Sequence, residues 1–207
     1  MADILFDLLK SQVSDDLVGA LAGQLGGASQ KQTSTAVDGA MSILLNGLAK
    51  NAQSTSGASA LGAALDRDHD GSILDDVMGF VTESTEPKNE RAANGAGILG
   101  HILGGKQTGA IDMLSKMSGL DSNQSTSLLI KMAPIVLGML GKQKRSGGLS
   151  PSDLGGLLSG AAAMSNKGNK NASLITSLLD QDGDGSLKGE AVGFGLKMLK
   201  GLFSRKR

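Results

Sequence analysis

Five carboxylates crowd the eleven residues DRDHDGSILDD, 66–76, and their spacing is regular. Counting from Asp66, acids fall at positions 1, 3 and 5 (Asp66, Asp68, Asp70), Gly71 is sixth, Ser72 seventh, Ile73 eighth and Asp76 eleventh. A hard divalent cation prefers several oxygen ligands, and alternate acids followed by a glycine turn let those oxygens converge on one ion. The backbone carbonyl of the seventh residue joins them, and an apolar eighth residue pins the loop to a core. The series recurs in DQDGDGSLKGE, 180–190, with Asp180, Asp182, Asp184, Gly185, Ser186, Leu187 and Glu190. The chemistry implied is Ca²⁺ binding, one ion per loop and two in all, with Mg²⁺ as the alternative occupant.

The pattern is EF-hand-like with one departure. Such a loop takes its last acid from position 12, where this chain has Val77 and Ala191. Both copies carry the acid one residue earlier, so the shift is a shared property and not a lost ligand. A loop one residue shorter closes on the metal if the next helix starts earlier. Asp76, shorter than Glu190, would reach with one oxygen, and Asp75 is a spare acid. The competing reading is an acidic Asp-Gly turn whose carboxylates meet a helix N-terminus. That accounts for one or two acids, but not for acids at alternate positions twice over. Unneutralised like charges at a separation of roughly 4 Å repel by about 1 kcal/mol per pair even in water. His69, at position 4, is expected to face solvent, and His101, a lone histidine on a Gly-rich helix, to be partly buried.

The elements that must hold these loops are also written twice. LDRDHDGSILDDVMGF from Leu65 aligns with LDQDGDGSLKGEAVGF from Leu179, which puts Gly79 over Gly193 and Phe80 over Phe194. Upstream, 26–50 matches 118–142, with Gln32 over Gln124, Ile43 over Ile135 and Leu48 over Leu140, and ILFDLLKSQ from Ile4 is similar to ILGHILGGKQ from Ile98. The offset grows from 92 (Gln32 to Gln124) to 114 (Asp66 to Asp180), so the second copy holds about 22 more residues, placed in 145–166. The expected organisation is a first helical repeat over 1–82 with the acidic loop 66–76, a polar linker over 83–96, and a second repeat over 97–207. That second repeat contains the loop 180–190 and the insertion near 145–166.

Leu and Ile recur at three- and four-residue spacing in 4–9, 17–25, 36–48, 98–103, 128–140 and 192–203, the period of an amphipathic helix. Ser29 followed by Gln32, and Ser150-Pro151 followed by Asp153, read as capped helix starts. Gly pairs at 26–27, 104–105 and 147–148 mark breaks, and Pro134 predicts a kink or break inside the last long helix. No stretch alternates as a strand would. The fold class is all-α, a duplicated helical bundle with two EF-hand-like Asp-rich loops. Each loop should lead into a helix that carries Phe80 or Phe194 to the core.

The chain resembles the YidB-like bacterial domain of unknown function (domain of unknown function 937). The residues that carry the likeness are LDSNQ (120–124), APIVLGMLGK (133–142) and GILGHILGGKQ (97–107), with the acidic LDRDHDGSILDDVMGF appended. The resemblance implies a small helical domain. It brings no established activity, so it transfers no catalytic residue.

Composition narrows the function classes. There is no Cys, which excludes disulfides, thiol catalysis and cysteine metal sites, and the two His leave little for imidazole chemistry. Nine of the 20 acids lie in the two loops, and setting them aside leaves 11 against 20 Lys and Arg, so a neutral formal charge conceals a polarised chain. The basic residues are dispersed, and without Trp or Tyr there is little for bases to stack on, so nucleic acid is not an expected partner. The basic amphipathic end KMLKGLFSRKR (197–207) suits a helix dipole as a solvated terminus, and contact with an anionic membrane or nucleic acid is its sharper reading. The longest apolar run, Met132 to Leu140, is bounded by Lys131 and Lys142 and falls short of the ~20 residues of a spanning helix, so no transmembrane segment is expected. MADILFDLLKSQ has Asp3 and Asp7 in its apolar pattern and lacks a basic leader. The expected location is the cytoplasm, with leaderless export as the alternative.

The sequence therefore points to a non-catalytic calcium-binding helical protein with a structural or interaction role. A second reading is a self-assembly module in which Gly/Leu/Met-rich helices, including Met113, Met117, Met132 and Met139, meet a partner or another copy and metal only stiffens the fold. A metal-dependent hydrolase is the weakest, since no nucleophile–base pair is legible.

Overall fold

Most helices begin at a side chain that caps them. In the computed structural model, which describes residues 13–167 and 171–179, Ser14 opens α1 (Asp15–Gln24), Ser29 opens α2 (Gln30–Asn51) and Ser54 opens α3 (Thr55–Arg67). A 3₁₀ turn, Ser72–Asp76, leads into α4 (Val77–Thr82), followed by α5 (Glu90–Ala93) and α6 (Gly95–Leu103). A second 3₁₀ turn, Gly104–Lys106, precedes α7 (Gln107–Ser118), α8 (Ser122–Gly147), α9 (Pro151–Asn166) and α10 (Ala172–Leu179). The described residues contain no strand, as the helical periodicity requires. The expected helices at 4–9 and 192–203 lie outside the described residues, as does Phe194. Phe80 packs, partly buried, against the core.

The predicted caps are present. Ser29 and Gln32 form a capping box, each satisfying a backbone N–H that the first turn leaves without a helical partner. Asp121 and Gln124 do the same for α8, and Ser150 and Asp153 for α9, where Pro151 sits in the first turn. The glycine pairs separate helices as expected: Gly26 (φ 63°), Gly104 (φ 53°) and Gly148 (φ 59°) all take the left-handed side of backbone space.

α2 and α8 pack against each other at the centre of one continuous apolar core. Ile43, Leu44 and Leu48 from α2 and Leu128, Ile135 and Leu140 from α8 are at most 2% exposed. Met132 and Met139 lie in this core too, while Met113 and Met117 pack against it. The outer helices cross over. α3 lies on α8, and α10 lies on α2 and α7. The side chain of Gln32 donates to the Gly119 carbonyl (2.9 Å), and that of Gln124 donates to the Leu25 carbonyl (2.7 Å). Each long helix thus bonds the turn before the other. The stretch 145–166 holds the end of α8 and α9, and α9 covers α2 and α3.

Pro134 does not break α8, which runs unbroken from Ser122 to Gly147. A proline lacks the N–H that would bond the carbonyl four residues back, here Ile130. At that oxygen the chain brings in Gly95, so closely that a Cβ there would stand 1.9 Å from it. The freed carbonyl faces the backbone of α6, and a Cα–H contact of this kind recurs between closely packed helices. α8 is long and apolar enough to cross a membrane by length and composition alone, yet 72% of its apolar window is buried within the protein. Its apolar faces are occupied by other helices.

Candidate functional site

The first acidic loop joins α3 to α4 and rests on the C-terminal half of α8. Asp66 lies in the last turn of α3, and Asp68 is its C-cap. Asp70 Oδ1 accepts from the Ser72 N–H at 2.9 Å, and Gly71 has φ 93°, a left-handed conformation that side-chain-bearing residues rarely adopt. Ser72 then begins the 3₁₀ turn. Ile73 is partly buried against α8, where Gly138 makes room: a Cβ there would be 2.5 Å from the Ile73 side chain. Gly141 lies still closer to the loop, and a Cβ on it would stand 1.6 Å from the His69 carbonyl oxygen.

Each carboxylate has a partner of its own. Asp66 pairs with Lys144 (2.5 Å), and Arg145 donates to the Asp66 carbonyl (3.1 Å). Asp68, only 8% exposed, pairs with Arg67 (2.6 Å) and lies 4.0 Å from Arg91. Asp70 lies 3.8 Å from Arg145, and Asp75 3.4 Å from Lys88. Asp76 accepts from the Gly79 N–H (2.8 Å) through one oxygen and from the Thr85 hydroxyl (2.7 Å) through the other, and so caps α4. These contacts favour the charged forms. The hydrogen bond from Arg67 holds Asp68 below the ordinary carboxylate pKa, those from Ser72 do so for Asp70, and those from Thr85 and Gly79 for Asp76. No group of three or more His, Asp or Glu placed to hold a metal ion occurs among the described residues. The next helix starts at Val77, with the Asp76 carboxylate given to that helix.

His69 departs from expectation. It is 6% exposed, its Nδ1 has no hydrogen-bond partner, and burial lowers its pKa despite the nearby Asp68 and Asp70. The loop lies flat on α8, so position 4 faces protein. His101, expected to be partly buried, is exposed. The second loop, with Asp180, Asp182, Asp184, Ser186 and Glu190, lies outside the described residues.

Sequence reasoning passed over the groups that hold the first loop in place. Lys144 and Arg145 come from the end of α8, and Thr85, Lys88, Asn89 and Arg91 from the stretch read as a linker, where Asn89 also donates to the Asp68 carbonyl (3.2 Å). The surplus of bases outside the loops was the available signal. It gave the charge but not the positions.

Fold and site together define an all-helical domain whose acidic loop is clasped between a central helix and a returning segment. Residues 7–143 match the model of a family described as bacterial protein of unknown function (DUF937), and the chain belongs to that family. No curated protein and no solved structure matches the chain.

Proposed function

We propose that the protein is a non-catalytic calcium-binding helical protein with a structural or interaction role, built on a duplicated bundle. The observation that carries the reading is the frame of the first loop. Asp66 ends one helix, Gly71 makes the left-handed turn after the alternate acids, Ile73 anchors the loop, and a second helix leaves at Val77. Asp66, Asp68, Asp70 and the Ser72 carbonyl are the ligands proposed there, with Asp76 released from its capping bonds to complete the set. A divalent ion would then take the place that Lys144, Arg67 and Arg145 hold toward these carboxylates. Asp180, Asp182, Asp184, Ser186 and Glu190 are proposed for the second ion. The matched capping boxes and the reciprocal Gln32 and Gln124 contacts support the duplication.

Titration calorimetry of the full chain with calcium tests this. Two ions are expected to bind, and the Asp70→Ala, Asp184→Ala double variant should retain no specific site. A ligand that binds only the folded form raises stability by about 2.7 kcal/mol when free ligand is ~100 times Kd, so the melting temperature should rise with calcium and less with magnesium, which demands stricter octahedral geometry. Absence of binding heat together with a melt indifferent to calcium, magnesium and chelator would leave the loops as charged turns.

A further inference from the structure

A cleft of about 580 Å³ lies between α3 and α6 where both rest on the α2–α8 pair, a size within the ~300–1,000 Å³ usual for small-molecule sites. Its floor is apolar and deeply set: Leu48, Leu137, Ile98 and Ile102 are all at most 7% exposed. The α3 wall combines Leu61 with the small residues Gly57, Ala60 and Ala64, which follow one helical face and keep the space open. The amides along the cleft each spend one end on the backbone. Asn51 donates to the His101 and Ile102 carbonyls, and Asn94 accepts from the Gly97 N–H. The interior therefore offers contact to an apolar chain and little polar recognition.

Polar character is concentrated at the mouth, in Arg67, Asp68 and Arg91. Arg67 donates to Asp68 through Nε (2.8 Å). Arg91 stands 4.0 Å from the same carboxylate, its side chain 75% exposed, with no hydrogen bond from its guanidinium to a described residue. Two guanidiniums over one carboxylate leave one positive charge in surplus and a fork of donors open. His69, 6% exposed, also lines the cleft.

We propose that this cleft binds a free single-chain amphiphile with one anionic head, of which a medium-chain carboxylate is the simplest example. The chain lies along the α2–α8 seam, where its apolar surface is removed from water. The carboxylate sits on Arg91, whose fork matches its two oxygens. A cationic head would meet the surplus positive charge. A bilayer lipid would have to leave its neighbours for a cleft shaped for one chain.

The test is calorimetry of the full chain with decanoate below its micellar concentration, in chelator, so that the outcome is independent of metal binding. Decanol, decyltrimethylammonium and phosphatidylglycerol vesicles are the comparison ligands. Saturable one-to-one binding of decanoate is expected, with weaker binding of decanol and none of the cation or the vesicles. Arg91→Gln, which removes the charge without setting a second carboxylate beside Asp68, should weaken decanoate several-fold, with circular dichroism confirming that the helices are retained, and Ala60→Phe, at an exposed wall position, should block it. The proposal is overturned if decanoate does not saturate, if the cation binds as well, if vesicles bind and decanoate does not, or if both variants keep the original Kd.

Discussion

At the scale of single residues, His69 and the loop carboxylates respond to acid in different windows. Burial depresses the His69 pKa below its ordinary value, so the unfolded chain takes up the proton more readily than the folded one. The associated stability is fully present above about pH 6.5 and declines as pH falls through the lower folded pKa. The carboxylates of Asp68, Asp70 and Asp76 are also held low. Their contribution is present above roughly pH 4 and is lost only as pH falls further. Urea midpoints of the native chain should therefore drop between about pH 7 and pH 5.5, and those of His69→Gln should hold nearly level there. Equal slopes for the two proteins would refute the assignment to His69. The acids and their order were legible in the sequence because ligand spacing is local. The burial of His69 was not, because it depends on α8, met in the chain only after residue 121.

At the scale of elements, two glycines in helices should respond in opposite senses. A methyl group on Gly141 would collide with the His69 carbonyl, and backbone on both sides leaves no flexible atom to yield. Gly141→Ala is expected to cost about 1–3 kcal/mol, outweighing the ~0.5–1 kcal/mol that alanine gains in a helix interior. Gly156 in α9 has nothing within 4 Å of an added Cβ, so Gly156→Ala should show only the gain. Chemical denaturation of the two variants checks this, and a stabilised Gly141→Ala would show that the loop is not seated on α8. The capping boxes were readable because Ser29–Gln32 and Asp121–Gln124 each act within one turn. The continuity of α8 through Pro134 was not, since it involves Gly95, a residue of another helix.

At the scale of the molecule, the crossing of α3 onto α8 and of α10 onto α2 ties the N-terminal and C-terminal helices into one core. Neither long helix keeps its apolar face covered without elements distant in sequence. Calorimetric unfolding is expected as one cooperative transition whose van't Hoff and calorimetric enthalpies agree. Gln32→Ala combined with Gln124→Ala should lower that midpoint, each lost hydrogen bond weighing about 0.5–1.5 kcal/mol, without splitting the transition. Two separate transitions in the native chain would show that the N-terminal and C-terminal helices fold independently. The helical class was legible from the three- and four-residue periodicity. The choice of packing partners was not, because other arrangements satisfy the same local periodicity.

That crossing also sets an order in time. α2 is complete at Asn51, but the helices that cover it include α7, α8, α9 and α10, which end between Ser118 and Leu179. At ~5–20 residues per second, synthesis from the end of α2 to the end of α9 takes on the order of 6–23 s. Throughout that interval the nascent chain carries an apolar helix without its cover, and exposed surface of this kind invites aggregation. The pause between translating α2 and enclosing it is thus written into the topology, and a chaperone that shields the emerging α2 would act in that interval.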